Sequence, residues 1–268
     1  MDNEHQSSES LRLVAGRKPV LELLSTAPER VEGVMLQKGA KGGPIEQILD
    51  LCRQRGVRFR FVERHELDRQ FPGNHQGVLA DIFEAGYTEL HELLQTARQS
   101  PLPLLVALDQ VLDPGNVGAL VRTVYALGGA GLLVPKHHAA RLGTGALKAS
   151  AGALLRLPIA RVTNLARALE ECAEAGYTIY GTQGEAGENL FFLEPRLPAV
   201  VVLGGEEKGM RPGVAKRCDF TLRIPLQHGF DSLNVAQAGA LITGHFARAK
   251  ALRDAAGQAG QAGKVGKT

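Results

Sequence analysis

The sequence of 268 residues lacks tryptophan and contains little cysteine. Its three cysteines, Cys52, Cys172 and Cys218, lie far apart and form no Cys-x-x-Cys pair. Closely spaced cysteines are typical of disulfide frameworks in small secreted domains and of zinc sites. The sequence therefore argues against both, predicts no metal site and favours a reduced, cytoplasmic location.

Long apolar runs and a strong excess of one charge are also absent. No segment approaches the roughly 20 apolar residues that a helix needs to cross a bilayer, so we expect no membrane association. The first ten residues are polar without an apolar core, so we expect a disordered tail (1–10) and no secretory signal. Lys and Arg total 31 against 28 Asp and Glu, a net charge of +3 that is compatible with an anionic partner.

Several catalytic and nucleotide-binding motifs are missing. Because there is no Gly-x-Ser-x-Gly, the neighbouring His228, Asp231 and Ser232 do not indicate a hydrolase; closeness in sequence does not make a catalytic triad. Neither Gly-x-Gly-x-x-Gly nor the P-loop spacing occurs, which disfavours dinucleotide and nucleoside triphosphate binding.

What the sequence does contain is a regular alternation of helical and extended patterns. The first part predicts a small α/β domain over residues 11–84, followed by a linker over 85–103 that contains a helical stretch over 89–98 and ends at Pro101 and Pro103. Its predicted helices are 18–25, 45–55 and 64–70, and its predicted strands are 31–37, 57–62 and 77–83.

The second part, residues 104–252, alternates apolar strands with helices. This pattern predicts a parallel sheet covered on both faces. The predicted strands are 104–108, 131–134, 158–162, 177–181, 199–203 and 220–224, and the predicted helices are 115–127, 165–174, 212–216 and 233–252. Residues 253–268 are rich in Gly, Ala and Gln and are expected to form a disordered tail.

Ligands of parallel sheets bind beyond the carboxyl ends of the strands, where three loops carry candidate residues. After strand 104–108 comes Asn116, and Arg122 follows six residues later. Asn116 has an alternative interpretation as a helix cap. An arginine near a helix start instead favours a phosphate, and we expect both residues to border one pocket.

The other two loops follow strands 199–203 and 220–224. The first begins Gly204-Gly205-Glu206, where a diglycine lets a flat ligand approach the backbone and Glu206 can accept hydrogen bonds. A tight turn with solvated charges is the alternative. The second loop leads to Ser232 and Asn234, either of which can cap the last helix.

The order of these segments resembles that of the TrmH/SpoU family of RNA ribose 2′-O-methyltransferases, in the SPOUT superfamily. The likeness begins at Gly16-Arg17-Lys18-Pro19-Val20, includes Asn74-His75-Gln76-Gly77, covers the three loops and ends at Ser232-Leu233-Asn234-Val235. Within the family it is greatest to bacterial enzymes that modify a guanosine of 23S ribosomal RNA.

This resemblance implies a fold, a cofactor and a set of site residues. It implies an N-terminal RNA-binding domain similar to ribosomal protein L30e, a deep trefoil knot that binds S-adenosylmethionine, and a homodimer in which the partner completes each site. The implied cofactor-binding residues are Leu203, Gly204, Gly205, Ile224, Leu226 and Leu233. The implied catalytic residues are Asn116, Arg122, Glu206, Ser232 and Asn234.

The role of Arg122 and the residues near the last loop need separate comment. Arginine is a poor base, so we assign Arg122 to clamping the phosphate next to the reacting ribose, with that phosphate or a water taking the proton. Similar enzymes usually have glycine where His228 stands, with the loop glycine here displaced to Gly229, and Ser-Val where this chain has Ala236-Gln237.

Basic residues in both parts of the chain favour an RNA partner, with a solvated charged face as the alternative for each group, and the resemblance implies that the RNA is ribosomal. One group surrounds the second predicted strand and the other follows the strand that ends at Val134: Arg53, Arg55, Arg58 and Arg60, then Lys136, His137, His138, Arg141 and Lys148. The alternatives are a methyltransferase acting on transfer RNA, and a noncatalytic protein that binds RNA or assists ribosome assembly.

Overall fold

The computed structural model of the chain describes residues 13–82, 86–184, 187–228 and 231–265. Contacts divide these residues into two units: the first extends to Gly86 and includes Arg141–Lys148, and the second holds Tyr87–Ala140 and the chain from Ala149 onward. The predicted N-terminal tail, Gly229, Phe230 and the last three residues lie outside the described residues.

The first unit contains a mixed four-stranded sheet in the order β1-β4-β2-β3, in which only β2 and β3 are parallel. Its strands are β1 (Leu13–Ala15), β2 (Val31–Gln37), β3 (Phe59–Val62) and β4 (Val78–Ile82). Its helices are α1 (Arg17–Thr26), α2 (Gly43–Arg55) and α3 (Arg64–Gln70).

Alternation along the strands of this sheet builds a core on each face. Val34 and Leu36 belong to one cluster with Ile48 of α2, whereas Met35, between them, packs in a second cluster with Leu67 of α3. Successive strand residues point to opposite faces, so a strand that is apolar at every position is covered on both sides.

The second unit contains a seven-stranded sheet in which every pair of neighbours is parallel, in the order β7-β6-β5-β10-β8-β11-β9. The predicted parallel sheet is confirmed. Its strands are β5 (Leu102–Asp109), β6 (Gly129–Pro135), β7 (Ile159–Val162), β8 (Thr178–Thr182), β9 (Glu188–Asn189), β10 (Ala199–Gly204) and β11 (Phe220–Arg223). The helices that follow α3 along the chain are α4 (Leu90–Ala97), α5 (Pro114–Ala126), α6 (Thr144–Ala149), α7 (Leu165–Glu174), α8 (Pro212–Ala215) and α9 (Val235–Val265).

Helices cover both faces of this sheet. Val200 and Val202 of β10 lie in one buried cluster with residues of α4 and α7. On the other face α9 passes so close to β10 and α5 that a Cβ at Gly239 would lie 2.3 Å from Leu120 Cδ1 and 2.9 Å from Leu203 Cδ1. Glycine at position 239 is therefore a packing requirement of this contact.

We expect Gly239→Ala to lower the free energy of unfolding of the second unit by about 1–3 kcal/mol, because the added methyl overpacks the contact with Leu120. Gly244 is the matched control in the same helix, since a Cβ there meets nothing within 4 Å. Gly244→Ala should stabilise the unit by about 0.5–1 kcal/mol through helix propensity. Chemical denaturation followed by circular dichroism measures both changes, and equal shifts would contradict the packing assignment.

The helical stretch predicted over 89–98 corresponds to α4, and buried Leu93 of this helix belongs to the core of the second unit. Other features differ from the sequence predictions. Strand β5 begins at Leu102, inside the predicted linker 85–103. The last helix does not end at Leu252 but continues to Val265, because the alanines and glutamines there are good helix formers. The short strands β1 and β9 and the short helix α6 have no counterpart among the predictions. Even the longest described helix, α9, lacks the sustained apolar stretch that a bilayer crossing requires.

The three cysteines are free thiols. Burial raises the pKa of Cys52 and of Cys218 to about 11 and that of Cys172 to about 12, so all three remain protonated at neutral pH. Within the described residues, no three His, Cys, Asp or Glu side chains gather in a way that could hold a metal ion.

Candidate active site

The candidate site lies at the carboxyl edge of the parallel sheet, where β5 and β10 end side by side. Gly204 pairs with Asp109 in register, so the loops that follow the two strands leave the sheet together. Strand β11 is separated from β10 by β8, but its loop returns to the same edge, where Ser232 and Leu233 line a cavity with Gly204.

Three of the predicted catalytic residues form one hydrogen-bonded cluster. Glu206 Oε1 accepts hydrogen bonds from Asn116 Nδ2 at 3.1 Å, from Asn234 Nδ2 at 3.1 Å and from the backbone N–H of Val235 at 3.4 Å. Asn234 Nδ2 also donates to Asn116 Oδ1 at 2.9 Å. Loops separated by many residues in sequence therefore meet at a single carboxylate.

Helix capping explains why these side chains are available. Asp113 caps α5, since its Oδ2 accepts from the backbone N–H of Asn116 at 2.7 Å. The alternative interpretation of Asn116 as the cap is therefore wrong, and its side chain is left to reach Glu206. Asn234 serves both purposes: its Oδ1 accepts from the N–H of Ala236 at 2.9 Å while its Nδ2 faces Glu206.

A cavity of about 360 Å³ opens beside this cluster. All six residues predicted to bind the cofactor line it, namely Leu203, Gly204, Gly205, Ile224, Leu226 and Leu233. Ser232 also contributes to the wall. The sequence predictions missed Thr182 and Gln183 at the end of β8 and the apolar side chains of Leu222 and Ile242. The signal in the sequence is the predicted strand 177–181, because parallel strands end at the same edge of the sheet.

A second cavity, of about 330 Å³, adjoins the first. It shares Gly205, Glu206 and Val235 with the first cavity and adds Asn116 and His138. The Glu206 carboxylate therefore lies in the wall of both cavities. Two ligands bound in them would meet at this side chain.

The diglycine is required by the protein backbone itself. A Cβ at Gly204 would lie 2.4 Å from the carbonyl carbon of Gly209, and one at Gly205 would lie 2.5 Å from the carbonyl oxygen of Gln110. The loop folds back on itself, with the N–H of Gly209 donating to the carbonyl of Gly205 at 2.8 Å. Tight backbone contacts therefore hold Glu206 in place.

An ion pair with a buried carboxylate, which the sequence predictions missed, anchors the same loop. The carboxylate of Asp109 is fully buried and accepts from the backbone N–H of Arg211 at 2.7 Å and from its Nε at 2.8 Å. The sequence signal that could have indicated this pair is an aspartate at the last position of an otherwise apolar strand. The pair fixes the far end of the loop that carries Glu206 to the end of β5.

Arg122 does not join the cluster within one chain. It is exposed on α5 and lines neither cavity, and in the described part of the chain no hydrogen bond or ion pair connects it to Glu206. Six residues of α-helix advance by about 9 Å and rotate by about 240°, so Arg122 and Asn116 point in different directions. The expectation that both border one pocket does not hold for a single chain.

His228 adopts the backbone conformation that glycine favours. Its φ is 59°, in the left-handed region that residues with a Cβ seldom occupy. The resemblance noted above implies a glycine at this position, and this conformation gives the physical reason. The displaced Gly229 lies outside the described residues.

The two basic groups of the sequence divide differently in the structure. Arg141 belongs to the first unit, where burial and then the positive charges of Arg58 and Arg60 lower its pKa. Arg60 is also paired with Glu66 at 2.6 Å. His138 belongs to the second unit and lines the second cavity. The basic residues therefore form separate sets in the two units.

Family models match both units of the chain. Residues 103–244 match the SpoU rRNA Methylase family, and residues 13–88 match the family described as RNA 2′-O ribose methyltransferase substrate binding. The first match spans more than half of the chain, and it contains every predicted site residue.

Individual relatives are similar over most of their length. The 23S rRNA (guanosine-2′-O-)-methyltransferase RlmB of Pseudomonas aeruginosa is 38% identical over 228 residues, covering 84% of this chain and 91% of its own. An uncharacterized tRNA/rRNA methyltransferase of Mycolicibacterium smegmatis is 37% identical over 246 residues, covering 91% and 78%. The crystal structure of an AdoMet-bound rRNA methyltransferase from Sinorhizobium meliloti has the same fold, with a TM-score of 0.56 at 21% identity, covering 91% of this chain and 90% of that one.

Proposed function

The chain belongs to the SpoU rRNA methylase family, and from this premise we propose that it methylates the ribose 2′-hydroxyl of a guanosine in 23S ribosomal RNA. S-adenosylmethionine is the methyl donor. The observation that carries the proposal is the position of Glu206 between two cavities, hydrogen-bonded to Asn116 and Asn234. A methyl transfer needs two ligands held in line with each other, and two cavities that meet at one polar cluster suit this need.

The first cavity suits S-adenosylmethionine. Its volume of about 360 Å³ is within the usual range for small-ligand sites. The backbone groups of Leu203, Gly204 and Gly205 at the strand end would hold polar parts of the cofactor, and Leu222 and Ile242 provide apolar surface. When bound, the cofactor would supply a methyl group on a sulfonium centre: the ribose oxygen would bond to the methyl carbon, the carbon–sulfur bond would break, and the sulfur would leave as a neutral thioether.

We expect Gly205→Ala to weaken binding of S-adenosylmethionine by about 10- to 100-fold, because the new methyl meets the backbone of Gln110 and displaces the loop. Gly213→Ala is the matched control, since a Cβ there meets nothing within 4 Å. Isothermal titration calorimetry measures both affinities. Equal affinities for the two variants would rule out the cavity wall at Gly205 as part of the cofactor site.

The second cavity would hold the reacting nucleotide, with the polar cluster orienting its ribose. Asn234 Nδ2 uses both its protons within the cluster, on Asn116 and on Glu206. Glu206 Oε1 already accepts three hydrogen bonds, which leaves Oε2 and one N–H of Asn116 to bind the ribose hydroxyls. Ser232, in the wall of the cofactor cavity, completes the catalytic set.

Arg122 would act on the phosphate next to that ribose. A guanidinium binds a phosphate with two parallel hydrogen bonds and cannot itself serve as a base near neutral pH. The 2′-hydroxyl proton would therefore leave to the clamped phosphate or to a water. Because Arg122 lies outside the cavities of its own chain, we assign it to the site of the partner subunit in a homodimer.

The remaining architectural proposals follow from family membership. The methyltransferase domain, residues 104–252, would be threaded as a deep trefoil knot, and residues 11–84 would form an L30e-like domain that binds the RNA. The match of residues 13–88 to a substrate-binding family supports the second assignment. The enzyme would act in the cytoplasm.

Methyl transfer to defined RNAs tests the proposed function. The protein is incubated with tritiated S-adenosylmethionine and unmodified transcripts of bacterial 23S ribosomal RNA or transfer RNA. We expect label on the ribosomal transcript alone. Label only on transfer RNA would reassign the substrate, and RNA binding without any label would indicate a noncatalytic protein.

A further inference from the structure

The first unit contains a cavity that the methyl-transfer site does not use. Its volume is about 720 Å³. Four segments converge on it, namely the start of α1, the end of β2, helix α3 and the loop before β4. Its wall consists only of polar side chains and glycines, so it offers little to an apolar ligand.

Buried hydrogen bonds hold this wall in a fixed shape. The ring of His75 is buried, and its Nδ1 accepts from the backbone N–H of Gly77 at 2.9 Å. Its Nε2 therefore carries the proton and donates to Asp68 Oδ1 at 2.9 Å. Gln76, which lies between His75 and Gly77 in the sequence, adopts a φ of 50°, a conformation that residues with a Cβ seldom occupy. The loop is thus held in a strained conformation, as is common at binding sites.

Arg17 connects the loop to the opposite wall. Its backbone N–H donates to Gln76 Oε1 at 3.2 Å, and its side-chain Nε donates to the Gln76 carbonyl at 3.2 Å. Its Nη1 reaches the carbonyl of Lys41 at 3.4 Å. A guanidinium that is fixed at both ends in this way provides a positive wall at low entropic cost.

Arg64 supplies a second cation that remains available to a ligand. Its side chain is 73% exposed, and its Nε lies 3.6 Å from Asp68 Oδ2, a long contact for a hydrogen bond. Among the described residues that line this cavity, Asp68 is the only carboxylate, and it is already bonded to His75. With two arginines against one carboxylate, the cavity favours an anion. The amides of Gln37 and Asn74 add donors and acceptors beside it.

We propose that this cavity binds one unpaired nucleotide of the RNA substrate, with its phosphate at Arg64 and its base edge at Gln37 and Asn74. The proposal rests on the proposed function in that it takes RNA to be the substrate. Proteins recognise RNA sequence chiefly in unpaired loops, where amide side chains can reach the exposed base edges. The cavity is thus a second contact with the RNA, in a different unit from the reacting ribose.

The variant Arg64→Ala tests this site. We expect the KM for a 23S ribosomal RNA transcript to rise about tenfold while kcat stays unchanged, because the lost contact contributes to binding alone. In filter-binding titrations over a range of salt concentrations, the slope of log affinity against log salt should become shallower by about 0.7, the loss of one phosphate contact. Asn74→Ala should raise KM and leave that slope unchanged.

Arg167→Ala is a closely matched control. Arg167 is 78% exposed and lies 3.5 Å from Glu171 in the same i,i+4 arrangement, but on α7. If Arg64→Ala and Arg167→Ala have the same KM and the same salt slope, the nucleotide site is refuted while methyl transfer stands. If the wild-type protein transfers no methyl group, the proposed function fails, and the binding titrations still decide whether the cavity holds RNA.

Discussion

Replacing Arg122 with alanine is expected to lower kcat by about 100- to 1,000-fold, the usual effect of removing one group that stabilises a transition state. The affinity for S-adenosylmethionine should not change, because the role assigned to Arg122 is to bind a phosphate of the RNA and not the cofactor. Single-turnover assays with a 23S ribosomal RNA transcript measure the rate, and calorimetry measures cofactor binding. Turnover at the wild-type rate would refute the role of Arg122 as a phosphate clamp.

Arg122→Lys separates charge from geometry at the same position. Lysine keeps the positive charge but cannot form the two parallel hydrogen bonds of a guanidinium. We therefore expect a rate between those of the wild type and of Arg122→Ala. A rate as high as that of the wild type would show that a point charge suffices.

The second large effect is expected at Glu206. Glu206→Ala should lower kcat by about 100-fold or more, because a small misplacement of reacting groups has effects of this size. The substitution removes the acceptor of Asn116, Asn234 and the N–H of Val235 at once. Glu206 is exposed, so the thermal stability of the fold should change little.

Two further variants make the Glu206 result specific. Glu206→Gln keeps an oxygen that can accept the same three hydrogen bonds, so activity above that of Glu206→Ala would show that orientation matters. Glu174→Ala removes an exposed carboxylate at the end of α7 and should leave kcat unchanged. A Glu206→Ala enzyme as active as the Glu174→Ala enzyme would contradict the positioning role.

Co-expression of the Arg122→Ala and Glu206→Ala variants tests whether a partner subunit completes the site. In the proposed homodimer, co-expression of Arg122→Ala and Glu206→Ala chains makes half of the dimers mixed, and each mixed dimer would contain one site free of both substitutions. Activity should therefore recover to about a quarter of the wild-type value. If Arg122 acts within its own chain, every site carries a substitution and no activity returns.

Much of the fold could be predicted from apolar runs in the sequence. The predicted strand 199–203 corresponds to Ala199–Gly204, and the predicted helix 165–174 corresponds to Leu165–Glu174. A strand buried on both faces is apolar at every position, which makes it visible without knowledge of its neighbours. By contrast, β1 spans only Leu13–Ala15, too short for such a pattern, and exists because β4 pairs with it.

The candidate site could be predicted only in part, for a physical reason. Polar loops at strand ends indicate Asn116, Glu206 and Asn234, because parallel strands end at one edge of the sheet. The hydrogen bonds among them depend on Asp113 acting as the cap of α5 and on the buried pair of Asp109 with Arg211. Such long-range contacts leave no periodic signal in the sequence.

The position of Arg122 shows a further limit of sequence patterns. Its spacing from Asn116 is short along the chain, yet the helix turns the two side chains away from each other. Helical periodicity alone is enough to predict that these two side chains diverge. This divergence is one reason for the proposal that Arg122 acts in the site of a partner subunit.

Nucleoside analysis of the methylated RNA tests the central assignment most directly. Unmodified 23S ribosomal RNA is incubated with the protein and S-adenosylmethionine, digested to nucleosides and examined by mass spectrometry, with Glu206→Ala as the control enzyme. A ribose held at the meeting point of the two cavities predicts 2′-O-methylguanosine from the wild type and almost none from the variant. A methyl group found on a base, or equal yields from the two enzymes, would contradict it.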